Sequence, residues 1–219
     1  MIAALYVETD GVYYGLEDVD PWDQERDARL YAGPWSVVAH PPCARWSRLA
    51  GFTEARFGLK RGDDGGCFEA ALNAVRRFGG VLEHPAYSAA WDRFGLPEPL
   101  WRGGWTAGTC GGWSCYIEQG RYGLPVKKAT WLYAYGAELP ELRWGYVSDG
   151  DGGGGGGMDS WRDRFGKRAD QWRTADQREY HRNGGKSTPH LGITSTTPPA
   201  FRDALLDLAR SAMPSLAIL

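Results

Sequence analysis

No run of about 18 apolar residues occurs anywhere in the chain, which excludes a membrane-spanning helix of ordinary length. The opening Met1-Ile2-Ala3-Ala4-Leu5-Tyr6-Val7-Glu8 lacks the charged head and cleavage site of a signal peptide, so the expectation is a cytoplasmic protein with no membrane partner. Cysteine is scarce, four residues (Cys43, Cys67, Cys110, Cys115) with no C-x-x-C pair, which argues against a disulfide framework or a zinc ribbon and leaves free thiols and no metal as the expectation. Net charge is also small: 25 Lys and Arg against 27 Asp and Glu give −2, so any contact with a polyanion has to come from a local patch rather than a global field.

What the chain does have is 219 residues, enough for one domain of the larger sort, together with 11 Trp and 31 Gly. Aromatic rings beside flexible backbone suit a core packed with tryptophan as well as a surface that stacks flat rings. Ala3 to Val7 reads as a first strand and Val12-Tyr13-Tyr14, bracketed by Gly11 and Gly15, as a second. Pro21 to Tyr31 reads as a polar helix stopped by Gly33-Pro34, and Trp35-Ser36-Val37-Val38-Ala39 as a strand running into the forced loop His40-Pro41-Pro42-Cys43.

The spacing from Cys67 to Phe78 predicts a helix with basic residues in its last turn and Gly79-Gly80 after it, followed by a strand at Val81-Leu82-Glu83 cut off by His84-Pro85. Strand, helix, strand in this order predicts an α/β fold with a mostly parallel, Rossmann-like sheet. Ligands of such sheets bind beyond the carboxyl ends of the strands, which puts His40 and Glu83 on one edge if their strands run parallel. Ser114 to Glu118 and Thr130 to Ala134 read as a hairpin joined by Gln119 to Lys128.

Domain organisation follows from composition: a core over 1–148, a Gly-rich flexible loop over 149–158, a mixed-charge arm over 159–196 and a closing amphipathic helix within 197–219 that docks back on the core. Eight Lys or Arg between Arg162 and Lys186, interleaved with Trp161, Trp172 and Tyr180 but diluted by four acids, make the arm a candidate for gripping phosphates and stacking bases.

Cys43 is the candidate nucleophile, because a proline-forced turn at a strand end holds a thiol toward a ligand rather than into the core. Pro41-Pro42-Cys43 followed by Trp46-Ser47 resembles the Pro-Pro-Cys loop of cytosine-C5 DNA methyltransferases, including small phage-encoded members. Glu83 in Val81-Leu82-Glu83-His84-Pro85 resembles that family's Glu-Asn-Val or Glu-Asn-Pro element, with His84 where the family has Asn. Glu118-Gln119-Gly120-Arg121 ahead of Lys127-Lys128-Ala129-Thr130-Trp131 resembles its later Gln-x-Arg and Lys-x-Thr segment.

The resemblance implies an enzyme acting at C5 of a pyrimidine in DNA or in a nucleotide. Cys43 would attack C6, Glu83 would supply the acid near N3, and His40, Pro41, Pro42, Arg45, Trp46, Ser47, His84, Gln119, Arg121 and Lys128 would line the substrate. It also implies S-adenosylmethionine as donor. Nothing between Leu5 and Tyr14 matches the family's Asp-x-Phe-x-Gly-x-Gly loop, however, and only Asp20 stands where an acid would hold the ribose. The family's target-recognition domain is missing or shrunken. A catalytically inactive relative that binds DNA or a nucleotide, as a phage defence or counter-defence factor, is the alternative expectation.

Overall fold

The computed structural model describes residues 1–47, 50–58, 60–124, 128–145 and 197–213. The Gly-rich loop and the mixed-charge arm lie outside the described residues. Seven strands form one mixed sheet in the order β2-β1-β3-β4-β7-β6-β5, with β1 at Ile2–Leu5, β2 at Val19–Trp22, β3 at Ser36–Ala39, β4 at Gly80–Pro85, β5 at Trp105–Ala107, β6 at Trp113–Glu118 and β7 at Ala129–Tyr135. The pairings β2-β1, β1-β3 and β3-β4 are parallel, whereas β4-β7, β7-β6 and β6-β5 are antiparallel. The expected parallel sheet therefore covers only one half. The second half is built from the β6/β7 hairpin, whose short connection can only reverse direction.

The described helices are α1 (Ala50–Phe57), α2 (Cys67–Phe78), α3 (Ala89–Arg93) and α4 (Pro199–Ser211). Strand side chains alternate between faces. Ala3, Leu5, Val37, Ala39, Leu82 and Tyr133 pack with Phe68, Ala71, Leu72 and Val75 of α2. Ile2, Ala4, Val38, Val81, Ile117 and Leu132 pack with Phe201, Leu205, Leu206 and Leu208 of α4. Helices on both faces make this a three-layer α/β arrangement, and the unit β3-α2-β4 is the strand, helix, strand order expected from the sequence.

Two sequence expectations are corrected. Val12-Tyr13-Tyr14 is a turn, not a strand, because the tyrosine rings anchor it: Tyr13 is buried against the α4 face and the Tyr14 hydroxyl donates to Asp23 Oδ2 at 2.6 Å. Pro21 to Tyr31 is not a helix. Its first residues form the edge strand β2, where Pro21 is tolerated, and Asp23 Oδ1 then accepts the Glu25 and Arg26 N–H groups, satisfying locally what a helix would have used. Only a single 3₁₀ turn, Ala28–Leu30, follows.

Candidate active site

The parallel register Ala39↔Leu82 brings the carboxyl ends of β3 and β4 to the same edge, one residue short of His40 and Glu83. Antiparallel β7 brings Thr130 opposite Pro85 and Leu132 opposite Glu83, and the β6/β7 pairing sets Glu118, and hence Gln119, beside Ala129. Segments some forty residues apart thus meet at one carboxylate. His40 Nδ1 lies 3.1 Å from Glu83 Oε2, and Gln119 Nε2 donates to Glu83 Oε1 at 3.0 Å and to Thr130 Oγ1 at 3.0 Å. On its other side the His40 ring meets the Tyr13 hydroxyl, 2.8 Å from Nε2.

Burial acts to raise the Glu83 carboxyl, but the His40 hydrogen bond and the charges of Lys128 and His40 outweigh it and bring the group down to about 2. Glu83 is therefore a buried, tightly held carboxylate at neutral pH. Cys43, half-buried just beyond β3, responds in the opposite sense: burial and then the Glu83 charge raise its thiol, with Lys128 pulling the other way. Cys43 is therefore held as a thiol, with the Glu83 carboxylate in electrostatic reach.

His84 has the opposite strand parity from Glu83 and faces the α2 layer, edge-on to Phe68 with ring centroids 5.1 Å apart and stacked on Trp91. Burial lowers it to about 4, so it is a neutral ring packed in the core. Neither ring nitrogen has a partner of hydrogen-bond geometry among the described residues, although the Pro42 carbonyl is near enough to favour the protonated form.

The remaining sequence-selected residues divide between the site and its surroundings. Pro41 is buried and Pro42 exposed on the Cys43 loop; Ser47 and Trp46 donate their backbone N–H groups to the Cys43 carbonyl, each at 2.9 Å. The Trp46 indole is not available for base stacking from within the core: it is 5% exposed, packs on Phe68 and Phe94, and donates to Asp64 Oδ2 at 2.8 Å. Arg45 is half-buried and its carbonyl accepts from Gly62. Arg121 is exposed and donates to the Gly145 carbonyl at 2.9 Å. The structure adds Tyr13 and Thr130 to the cluster. Thr130 stood in the Lys-x-Thr segment two residues after Lys128, whereas Tyr13 was hidden in a run whose aromatics read as strand.

Asp20 is turned from the expected ribose role by its placement within β2, where it pairs with Arg26 at 2.5 Å and accepts from Trp22 Nε1 at 2.9 Å. The acid beyond the end of β2 is Asp23. It is 6% exposed, and its oxygens are taken by Thr9 at 2.8 Å, Tyr14 at 2.6 Å and the two backbone N–H groups named above. The loop after β1 folds on itself through Gly11 to Glu8 and Tyr14 to Gly11 backbone bonds and buries Tyr13. These residues do not fit S-adenosylmethionine as the resembled family binds it: the loop after β1 offers no glycine cradle, and the oxygens of Asp23 beyond β2 are already engaged.

Among the described residues no group of three or more His, Cys, Asp or Glu side chains is disposed to hold a metal ion, and no helix is long and apolar enough to cross a membrane. All four cysteines are free. Comparison with protein-family models, with curated proteins and with solved structures finds no match.

Proposed function

We propose that the protein acts at C5 of a pyrimidine, in DNA or in a nucleotide, through covalent addition of Cys43 to C6. The observation that carries this reading is the convergence of the three motif segments, at His40 to Cys43, Glu83 and Gln119, on one buried carboxylate at the edge where the thiol emerges. The parallel half of the sheet is the Rossmann-like part in this reading, and a cytoplasmic setting goes with it.

In the addition step the Cys43 S–H bond breaks, sulfur bonds to C6, and the released proton is taken up by the Glu83–His40 pair. That proton is delivered to N3 as negative charge develops on the ring, leaving an enamine electron pair on C5. Gln119 fixes the carboxylate by its N–H, and Tyr13 fixes the imidazole. Once C5 has taken an electrophile and lost its hydrogen as a proton, the C6–S bond breaks and the thiol is restored. S-adenosylmethionine is not assigned as the electrophile's source.

The self-bonded loop after β1 and the engaged oxygens of Asp23 favour the second reading, an inactive relative that binds DNA or a nucleotide. An oligonucleotide containing 5-azacytosine separates the two without any donor, because its N5 accepts the proton and the adduct persists. Intact-protein mass spectrometry is expected to show one adduct in the wild type and in Cys67→Ser, and none in Cys43→Ser. Absence of the adduct from folded wild-type protein would leave the binding reading.

A further inference from the structure

An open cleft of about 560 Å³ is lined by Trp46, Lys60, Arg61, Gly62, Asp63, Ala89 and Arg93. Three cations face a single carboxylate there, in a chain whose net charge is −2. Lys60, Arg61 and Arg93 are all exposed, and none forms an ion pair among the described residues; Arg93 only lies over the Phe94 ring at 5.8 Å. Unneutralised cations gathered around a concavity are the electrostatic signature of an anion site.

The cleft is tied to the nucleophile by covalent and hydrogen-bonded connections. Trp46, its floor, closes a β-turn onto the Cys43 carbonyl at 2.9 Å, which places the two Cα atoms within about 7 Å. The Gly62 N–H donates to the Arg45 carbonyl at 2.9 Å, pinning the Lys60–Gly62 turn to that same loop. From the other side, the Ala89 N–H donates to the Trp46 carbonyl at 2.9 Å and carries α3, with Arg93, against it. The cleft thus borders the loop that carries Cys43.

We infer that this cleft holds a phosphate group of the substrate, with Lys60, Arg61 and Arg93 as its ligands. The inference rests on the C5 reading for the identity of the base, and adds which residues hold the phosphate of the DNA or nucleotide substrate. The phosphate is either the monophosphate of a free nucleotide or an internucleotide phosphodiester, and the chemistry recognised is the same.

Calorimetric titration of the full chain with deoxycytidine, dCMP and a cytosine-containing single-stranded oligonucleotide tests this, beside Lys60→Ala/Arg61→Ala and Arg93→Ala. The expected result is at least tenfold tighter binding of a phosphate-bearing probe than of deoxycytidine, with that advantage erased in the double variant and reduced in Arg93→Ala. The oligonucleotide's salt slope should fall by roughly the number of phosphate contacts removed. An advantage for dCMP assigns the monophosphate, and an advantage for the oligonucleotide alone assigns the phosphodiester. Equal binding of all three probes, no binding by any, or an advantage that survives in the double variant with its melting temperature preserved would overturn the inference. Phosphate-dependent binding without a 5-azacytosine adduct would overturn the C5 reading instead and leave the phosphate site standing.

Discussion

The Glu83 charge bears on the protonation of Cys43. Burial raises the Cys43 thiol and the Glu83 carboxylate raises it further, so Glu83→Gln is expected to move the pH midpoint of Cys43 alkylation by iodoacetamide downward while abolishing the 5-azacytosine adduct. An unmoved midpoint would show that the two groups do not communicate. His84 gives a separate prediction on stability. Its folded value of about 4 lies below the ordinary 6.5, so the unfolded chain binds the extra proton first and stability is lost as pH falls from about 6.5 toward 4. The full effect is on the order of 3 kcal/mol. Melting temperatures between pH 7 and pH 4.5 should fall steeply in the wild type and less in His84→Asn; equal slopes would contradict a buried neutral ring. Glu83 acts in a lower window: its depressed value contributes stability that is complete above about 4.5 and lost as pH falls toward 2.

These residues were unequally legible. Cys43, Glu83 and Gln119 stand in recognisable local patterns. The distinction between Glu83 and His84 does not appear in the sequence, because both are polar and adjacent; only strand alternation sends one to the His40–Gln119 cluster and the other into an aromatic core.

At the scale of elements, the most readable features were those with strong periodicity and clear stops. α2 runs over Cys67–Phe78 as its spacing and the following Gly79-Gly80 indicate, and β3, β4, β6 and β7 each fall on an apolar run. β2 was not legible because its pairing with β1 overrides the polar composition of Val19–Trp22, and Tyr13 was missed because a buried ring in a turn has the same local sequence as a ring in a strand. Gly80 shows how closely the α2–β4 junction is fitted: it has φ +125°, and a Cβ there would collide with the Val37 backbone of the neighbouring strand. Gly80→Ala is expected to cost about 3 kcal/mol or more, read as a lower urea midpoint at unchanged slope. A loss under about 1 kcal/mol would contradict the β3–β4 packing that places His40 beside Glu83.

Across the described sheet, a parallel half and an antiparallel half are continuous, and the Glu83 cluster sits at their seam, where β4 meets β7. The parallel half supplies Cys43, His40 and Glu83, and the antiparallel half supplies Gln119 and Thr130. The sequence order of strands and helix pointed to the first half, but the mixed topology needed the hairpin to be placed next to β4, a long-range choice that no local pattern encodes. The same arrangement leaves the cationic cleft on the flank of the Cys43 loop, the place proposed above for a substrate phosphate.

The most direct test is exchange of the pyrimidine H5 with solvent. In D2O, addition of Cys43 to C6, deuteration of C5, loss of H5 and expulsion of the thiol replace hydrogen by deuterium with no donor required. Loss of the cytosine H5 proton signal from dCMP or a cytosine oligonucleotide is expected with the wild type, and none with Cys43→Ser. A folded wild-type protein that exchanges H5 no faster than Cys43→Ser would contradict it.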